Sequence, residues 1–123
     1  MAKVPRVLIV DDEQLGTEVR VAVLRSLGYD ATMANSGAEA VARSDIDTFD
    51  VIILDYDMPN LNGVETARKL RKSGVEAGLV MLSGRIDAPW TSEKIFDVFV
   101  SKGDGVPTLT SAIRKALDKR IYH

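Results

Sequence analysis

Five side chains stand where an apolar run of this sequence stops. Asp11 and Asp12 follow Arg6 to Val10, Asp55 follows Val51 to Leu54, Ser83 follows Leu79 to Leu82, and Lys102 follows Val98 to Ser101. Three carboxylates in one place are unfavourable unless a cation neutralises them. Oxygen ligands of this kind, with no His or Cys beside them, are hard donors that suit Mg²⁺. A carboxylate nucleophile, a metal and a lysine to hold equatorial oxygens, and a hydroxyl to bond the product are the parts of a phosphoryl-transfer site. Taken singly, each residue also has an ordinary role: Asp as a turn former or cap, Ser83 before Gly84 as a turn, Lys102 as a solvated charge. Their joint placement points to chemistry.

The elements that must bring these residues together alternate. Arg6 to Val10 reads as a strand, and Leu15, Val19, Ala22, Val23 and Leu27 recur at helical spacing, with Glu18, Arg20 and Arg25 off that stripe and Gly28 as the stop. Tyr29 to Ala34 predicts a weaker strand, and Ala38 to Arg43 a short helix opened by Asn35-Ser36-Gly37. Phe49 to Leu54 predicts the third strand, and Asn62 caps a helix from Gly63 to Lys72. Leu79 to Leu82 and Val98 to Ser101 predict two more strands, and a last helix starts near Pro107 with Leu109, Ile113, Ala116 and Leu117 on one face. Between them, Ala88 to Phe96 predicts a short helix beginning at Pro89.

Strands alternating with helices imply a parallel sheet with right-handed crossovers and helices on both faces. All strands of such a sheet present their carboxyl ends on one side. Asp11, Asp12, Asp55, Ser83 and Lys102 therefore converge at one edge, where ligands of open α/β sheets collect.

Composition narrows the setting. With 123 residues, 46% of them hydrophobic, residues 1–123 are expected to form a single domain around one core. There is no cysteine, which excludes disulfides, thiolate metal sites and a Cys nucleophile. The first six residues lack the apolar stretch of a signal peptide, and no apolar run approaches the ~20 residues that span a bilayer. A soluble cytoplasmic protein is expected. A net charge of -2 gives no basic field for nucleic acid or anionic lipid.

On four motifs the chain resembles the response regulator receiver domains of two-component signalling, the CheY-like family, over nearly its whole length. They are Val10-Asp11-Asp12-Glu13, Leu54-Asp55-Tyr56-Asp57-Met58-Pro59-Asn60-Leu61-Asn62-Gly63, Met81-Leu82-Ser83-Gly84 and Phe99-Val100-Ser101-Lys102. The resemblance implies a flavodoxin-like, doubly wound sheet with strand order 2-1-3-4-5. It implies Asp55 as the acceptor of a phosphoryl group from a sensor histidine kinase or phosphotransfer protein. It also implies Mg²⁺ held by Asp12, Asp55 and the Asp57 backbone carbonyl, with Asp11 acting through water. Ser83 and Lys102 would contact the phosphoryl group, and Phe99 would follow Ser83 by changing rotamer. Asp57 and Arg85 flank the phosphoryl position and would influence its lifetime. Output would pass through the fourth helix, fifth strand and last helix to a separate partner, with a homodimer left open and without direct contact to nucleic acid or membrane.

Two departures qualify the resemblance. Gly103 replaces the proline that usually follows the lysine, and a trans bond is the default for Lys102-Gly103. The interval from Ser83 to Lys102 is short and holds Pro89-Trp90, which predicts a shortened or irregular fourth helix. Three rival readings compete. A pseudo-receiver would bind partners without being phosphorylated. A haloacid-dehalogenase-type phosphatase would use Asp55-Tyr56-Asp57, although its acidic pair should follow the lysine rather than come first. A flavodoxin-like FMN binder would need a phosphate loop where this chain has acids. A receiver turns over no substrate, whereas the phosphatase would.

Overall fold

The computed structural model describes residues 3–84 and 94–121. Five runs rich in aliphatic residues form one parallel sheet: β1 (Arg6–Val10), β2 (Asp30–Ala34), β3 (Val51–Asp55), β4 (Gly78–Ser83) and β5 (Val98–Ser101). The order across the sheet is β2-β1-β3-β4-β5, as expected from the family resemblance. Four helices occur among the described residues: α1 (Gln14–Ser26), α2 (Gly37–Ala42), α3 (Gly63–Lys72) and α4 (Gly105–Ile121).

Strand alternation splits the core in two. Leu8, Val10, Ile52, Leu54, Leu79 and Met81 pack on one face with Ala40 of α2 and Val64, Ala67 and Leu70 of α3. Val7, Ile9, Val51, Ile53, Val80, Leu82 and Val100 pack on the other with Val21 and Leu24 of α1 and with Leu109, Ala112, Ile113 and Ala116 of α4. β3 and β4 are buried along their whole length, which is why they read as unbroken apolar runs. Register aligns the ends: Val10 lies beside Leu54, Leu54 beside Met81, and Met81 beside Phe99.

Several expectations need correction. The stripe expected to pack α1 faces outward: Leu15 is 78% exposed, Val19 and Leu27 are exposed too, and Thr17, Val21 and Leu24 are buried instead. The helix carries apolar residues on two opposite sides, and periodicity alone does not choose between them. β3 begins at Val51 rather than Phe49 and runs through Asp55, while β4 gains Gly78 and Ser83. The last helix starts at Gly105, two residues before Pro107. Pro107 then sits in the first turn, where a missing N–H costs nothing. Lys94 and Ile95 form a turn rather than the end of a helix. The rest of the expected fourth helix, with Pro89, Trp90 and Arg85, lies outside the described residues. Among the described residues no helix is long and apolar enough to cross a membrane.

Candidate functional site

The loop after β3 is held from both ends, and this fixes Asp55. Met58 is buried in the core, and the Met58 and Gly63 N–H groups both donate to the Tyr56 carbonyl, each at 3.1 Å. Asn60 takes a positive φ of 69°, which Asn tolerates better than most residues. Asn62 then starts α3 with a capping box: its side chain accepts from the Glu65 N–H at 2.9 Å, and Glu65 accepts from the Asn62 N–H at 3.0 Å. Gly63 is where a side chain has no room. A Cβ there would lie 2.7 Å from the Asp55 carbonyl oxygen, so the run from Asp55 to Gly63 closes only around glycine.

Beyond the strand ends the charged groups meet. Asp11, Asp12 and Asp55 each offer a carboxylate oxygen within 4.8 Å of the others. Asp11 has no solvent exposure and Asp55 only 2%, while Asp12 is exposed at the mouth. The Lys102 ammonium lies 3.1 Å from Asp55 Oδ2 and 3.6 Å from Asp11 Oδ2. Burial, and then the Asp11 charge, push the Asp55 carboxyl up to about 7 against the pull of Lys102. Burial opposes the Lys102 charge, yet Asp55 and Asp11 outweigh it and raise that pKa as well. One cation therefore does not balance the pocket. The donor set, three carboxylate oxygens gathered within 4.8 Å of one another, fits a hard divalent ion.

Other expected residues fall into place or away from it. Ser83 is buried at the end of β4, beside Ser101 in register and one residue past Leu82, the partner of Asp55. Asp57 is exposed on its side chain, and its N–H donates to Asp55 Oδ1 at 3.4 Å. Phe99 is 38% exposed on β5, its ring centroid 5.9 Å from that of Phe96. Arg85, expected to flank the phosphoryl position with Asp57, lies outside the described residues. Lys102 opens a 3₁₀ turn through Asp104, and the described residues contain no cis peptide bond. The glycine with a positive φ in this turn is Gly105, at 79°.

Arg20 was missed. Its spacing placed it among exposed charges, whereas its guanidinium lies 3.5 Å from Asp11 Oδ2. The available signal was Gly16, a glycine inside a helix one turn before an arginine.

The family model described as the response regulator receiver domain matches residues 7–114. The response regulator MprA of Mycobacterium leprae is 34% identical over 105 residues, covering 83% of this chain and 43% of that protein. A gliding motility regulatory protein of Myxococcus xanthus is 31% identical over 118 residues, covering 91% of this chain and 15% of that protein. The chain thus spans less than half the length of these curated relatives. The response regulator TrrA of Thermotoga maritima, solved in complex with Mg²⁺-BeF, superposes with a TM-score of 0.80 at 29% identity, covering 92% of this chain and 99% of that one.

Proposed function

Because the chain belongs to the response regulator receiver domain family, we propose that residues 1–123 act as a single phosphorylation-dependent switch that takes a phosphoryl group onto Asp55. The family is a signalling module of two-component systems. The proposed donor is a phosphohistidine of a sensor kinase or phosphotransfer protein, and the proposed place of action is the cytoplasm. The observation that carries this reading is the buried Asp55 carboxylate, with Lys102 at 3.1 Å and two further carboxylates beside it.

In the transfer, an Asp55 carboxylate oxygen attacks phosphorus, the phosphorus–nitrogen bond to the donor imidazole breaks, and the imidazole leaves with the bond's electron pair and takes up a proton. Asp12, Asp55 and the Asp57 carbonyl would hold Mg²⁺, with Asp11 acting through water. When bound, the ion supplies the positive charge that offsets the carboxylates and the incoming oxygens. Lys102 turns from Asp11 toward a phosphoryl oxygen, and the Ser83 hydroxyl donates to another. The new group brings about -1.5 to -2 charges to the strand edge. Phe99, partly exposed before transfer, would turn inward as Ser83 shifts, changing the face that carries β5 and α4 for a separate target. The exposed Leu15 and Val19 ridge, beginning three residues past Asp12, offers the donor protein an apolar footing at the same edge.

No substrate turnover is part of this reading; one phosphoryl group per chain is. Incubation with acetyl phosphate and Mg²⁺, followed by intact mass, should add one phosphoryl group to the wild type and none to Asp55→Asn. A wild type that gains no mass, or a variant that gains as much, would overturn it.

A further inference from the structure

Asp11 is enclosed, and both of its oxygens are engaged. Oδ1 accepts from the Glu13 N–H at 3.0 Å, and Oδ2 faces two cations, Lys102 at 3.6 Å and Arg20 at 3.5 Å. Arg20 reaches the site from the second turn of α1 by running back toward the helix start. Gly16 lies in its path: a Cβ built there would sit 3.7 Å from Arg20 Nη1 and 3.0 Å from Glu13 Oε1. A methyl group would touch the guanidinium, and a longer side chain would compete for its space. Glycine inside a helix is less favourable than alanine, so Gly16 weakens α1 locally while leaving the lane open.

We propose that Arg20 is a resident counter-ion of the acid site, which holds Asp11 in place and lowers the affinity of the carboxylate cluster for Mg²⁺. The proposal rests on the reading of Asp11, Asp12 and Asp55 as a Mg²⁺ site. Two consequences follow from charge. A fixed guanidinium beside the cluster repels a divalent ion; at a separation of roughly 6 Å and water-like screening, one unit charge changes affinity by about tenfold. A carboxylate with no solvent exposure must also keep a partner, because an unpaired buried charge is strongly destabilising. Arg20 stays on Asp11 when Lys102 turns to the phosphoryl group, so that movement strands nothing. Arg20 is a positioning residue in this scheme and does not touch the phosphoryl group.

The test is Mg²⁺ binding by titration calorimetry, with thermal midpoints taken with and without the ion, on the wild type, Arg20→Gln, Arg20→Lys and Gly16→Leu. Arg20→Gln should bind Mg²⁺ about tenfold more tightly, melt at a lower temperature without the ion, and recover much of that loss at saturation. Arg20→Lys should remain within about threefold of the wild type. Gly16→Leu keeps the charge but crowds the guanidinium aside in a stronger helix, and should also tighten binding. It decides the matter if Arg20→Gln does not fold without metal. Unchanged or weaker binding in whichever of Arg20→Gln and Gly16→Leu folds, with normal binding by the wild type, would overturn the role of Arg20 alone. A wild type that binds no Mg²⁺ would remove the metal site and this inference together.

Discussion

The two ends of the sheet hold nearly the same charges and treat them differently. At the amino-terminal edge, Arg6 and Arg43 face Asp30, Asp45 and Asp50. Arg6 pairs with Asp30 at 3.0 Å and with Asp45 at 3.7 Å, Arg43 pairs with Asp45 at 2.8 Å, and the Arg6 N–H donates to Asp50 at 2.8 Å. At the carboxyl-terminal edge, Lys102 and Arg20 face Asp11, Asp12 and Asp55. These two groups match, three acids to two bases, although the Arg71–Asp97 pair also lies beside the start of β4. The difference is water. Asp30 is 57% exposed and Asp45 35%, and the Arg43 hydrogen bond holds the Asp45 carboxyl below its usual range. Asp55 is shut away beside another acid and is pushed the other way. Charge count alone therefore does not mark a reactive site; buried, imperfectly balanced charge does.

The largest expected effect comes from breaking the frame that buries the upper cluster. Gly63→Ala would drive a methyl group into the Asp55 carbonyl, and a loss of about 3 kcal/mol in urea unfolding is expected, together with reduced phosphoryl uptake. Next is Lys102→Met without Mg²⁺, which leaves Asp11 and Asp55 short of a cation. It should cost about 2 kcal/mol at pH 8 and clearly less at pH 5, where Asp55 carries its proton. An equal cost at both pH values would show that Lys102 acts by packing alone.

A smaller effect, of opposite sign, belongs to Asp55 itself. The unfolded carboxyl loses its proton near 3.8 and the folded one near 7, so between those values the folded metal-free chain binds the extra proton. Stability should therefore fall as pH rises through that window, and Asp55→Asn should flatten the profile and stabilise the protein at pH 8 by about 1–2 kcal/mol. The lower edge has the reverse sign: the depressed pKa of Asp45 stabilises above 3.8, and that contribution is lost as pH falls further. Smallest of all, Arg43→Ala should change stability by no more than about 1 kcal/mol, measured by the same unfolding curves, because its partner is solvated. A loss as large as that of Lys102→Met would erase the contrast between the two edges.

Much of the molecule was legible in the residues. The apolar runs ending in Asp11, Asp55, Ser83 and Lys102 state both the strands and their reactive ends, because in a parallel sheet the chain direction alone sends every carboxyl end to one side. The capping box of Asn62 and Glu65 is equally local, since it needs only residues three apart. Tertiary structure decided what depends on neighbours distant in sequence. Which side of α1 is buried was set by the sheet and α4, against the apolar ridge of Leu15, Val19 and Ala22. Whether Arg20 is a solvated charge or a partner of Asp11 was set by the same rotation of that helix. The elevated pKa of Asp55 belongs here as well, because desolvation and the field of a second carboxylate exist only once four strands have come together.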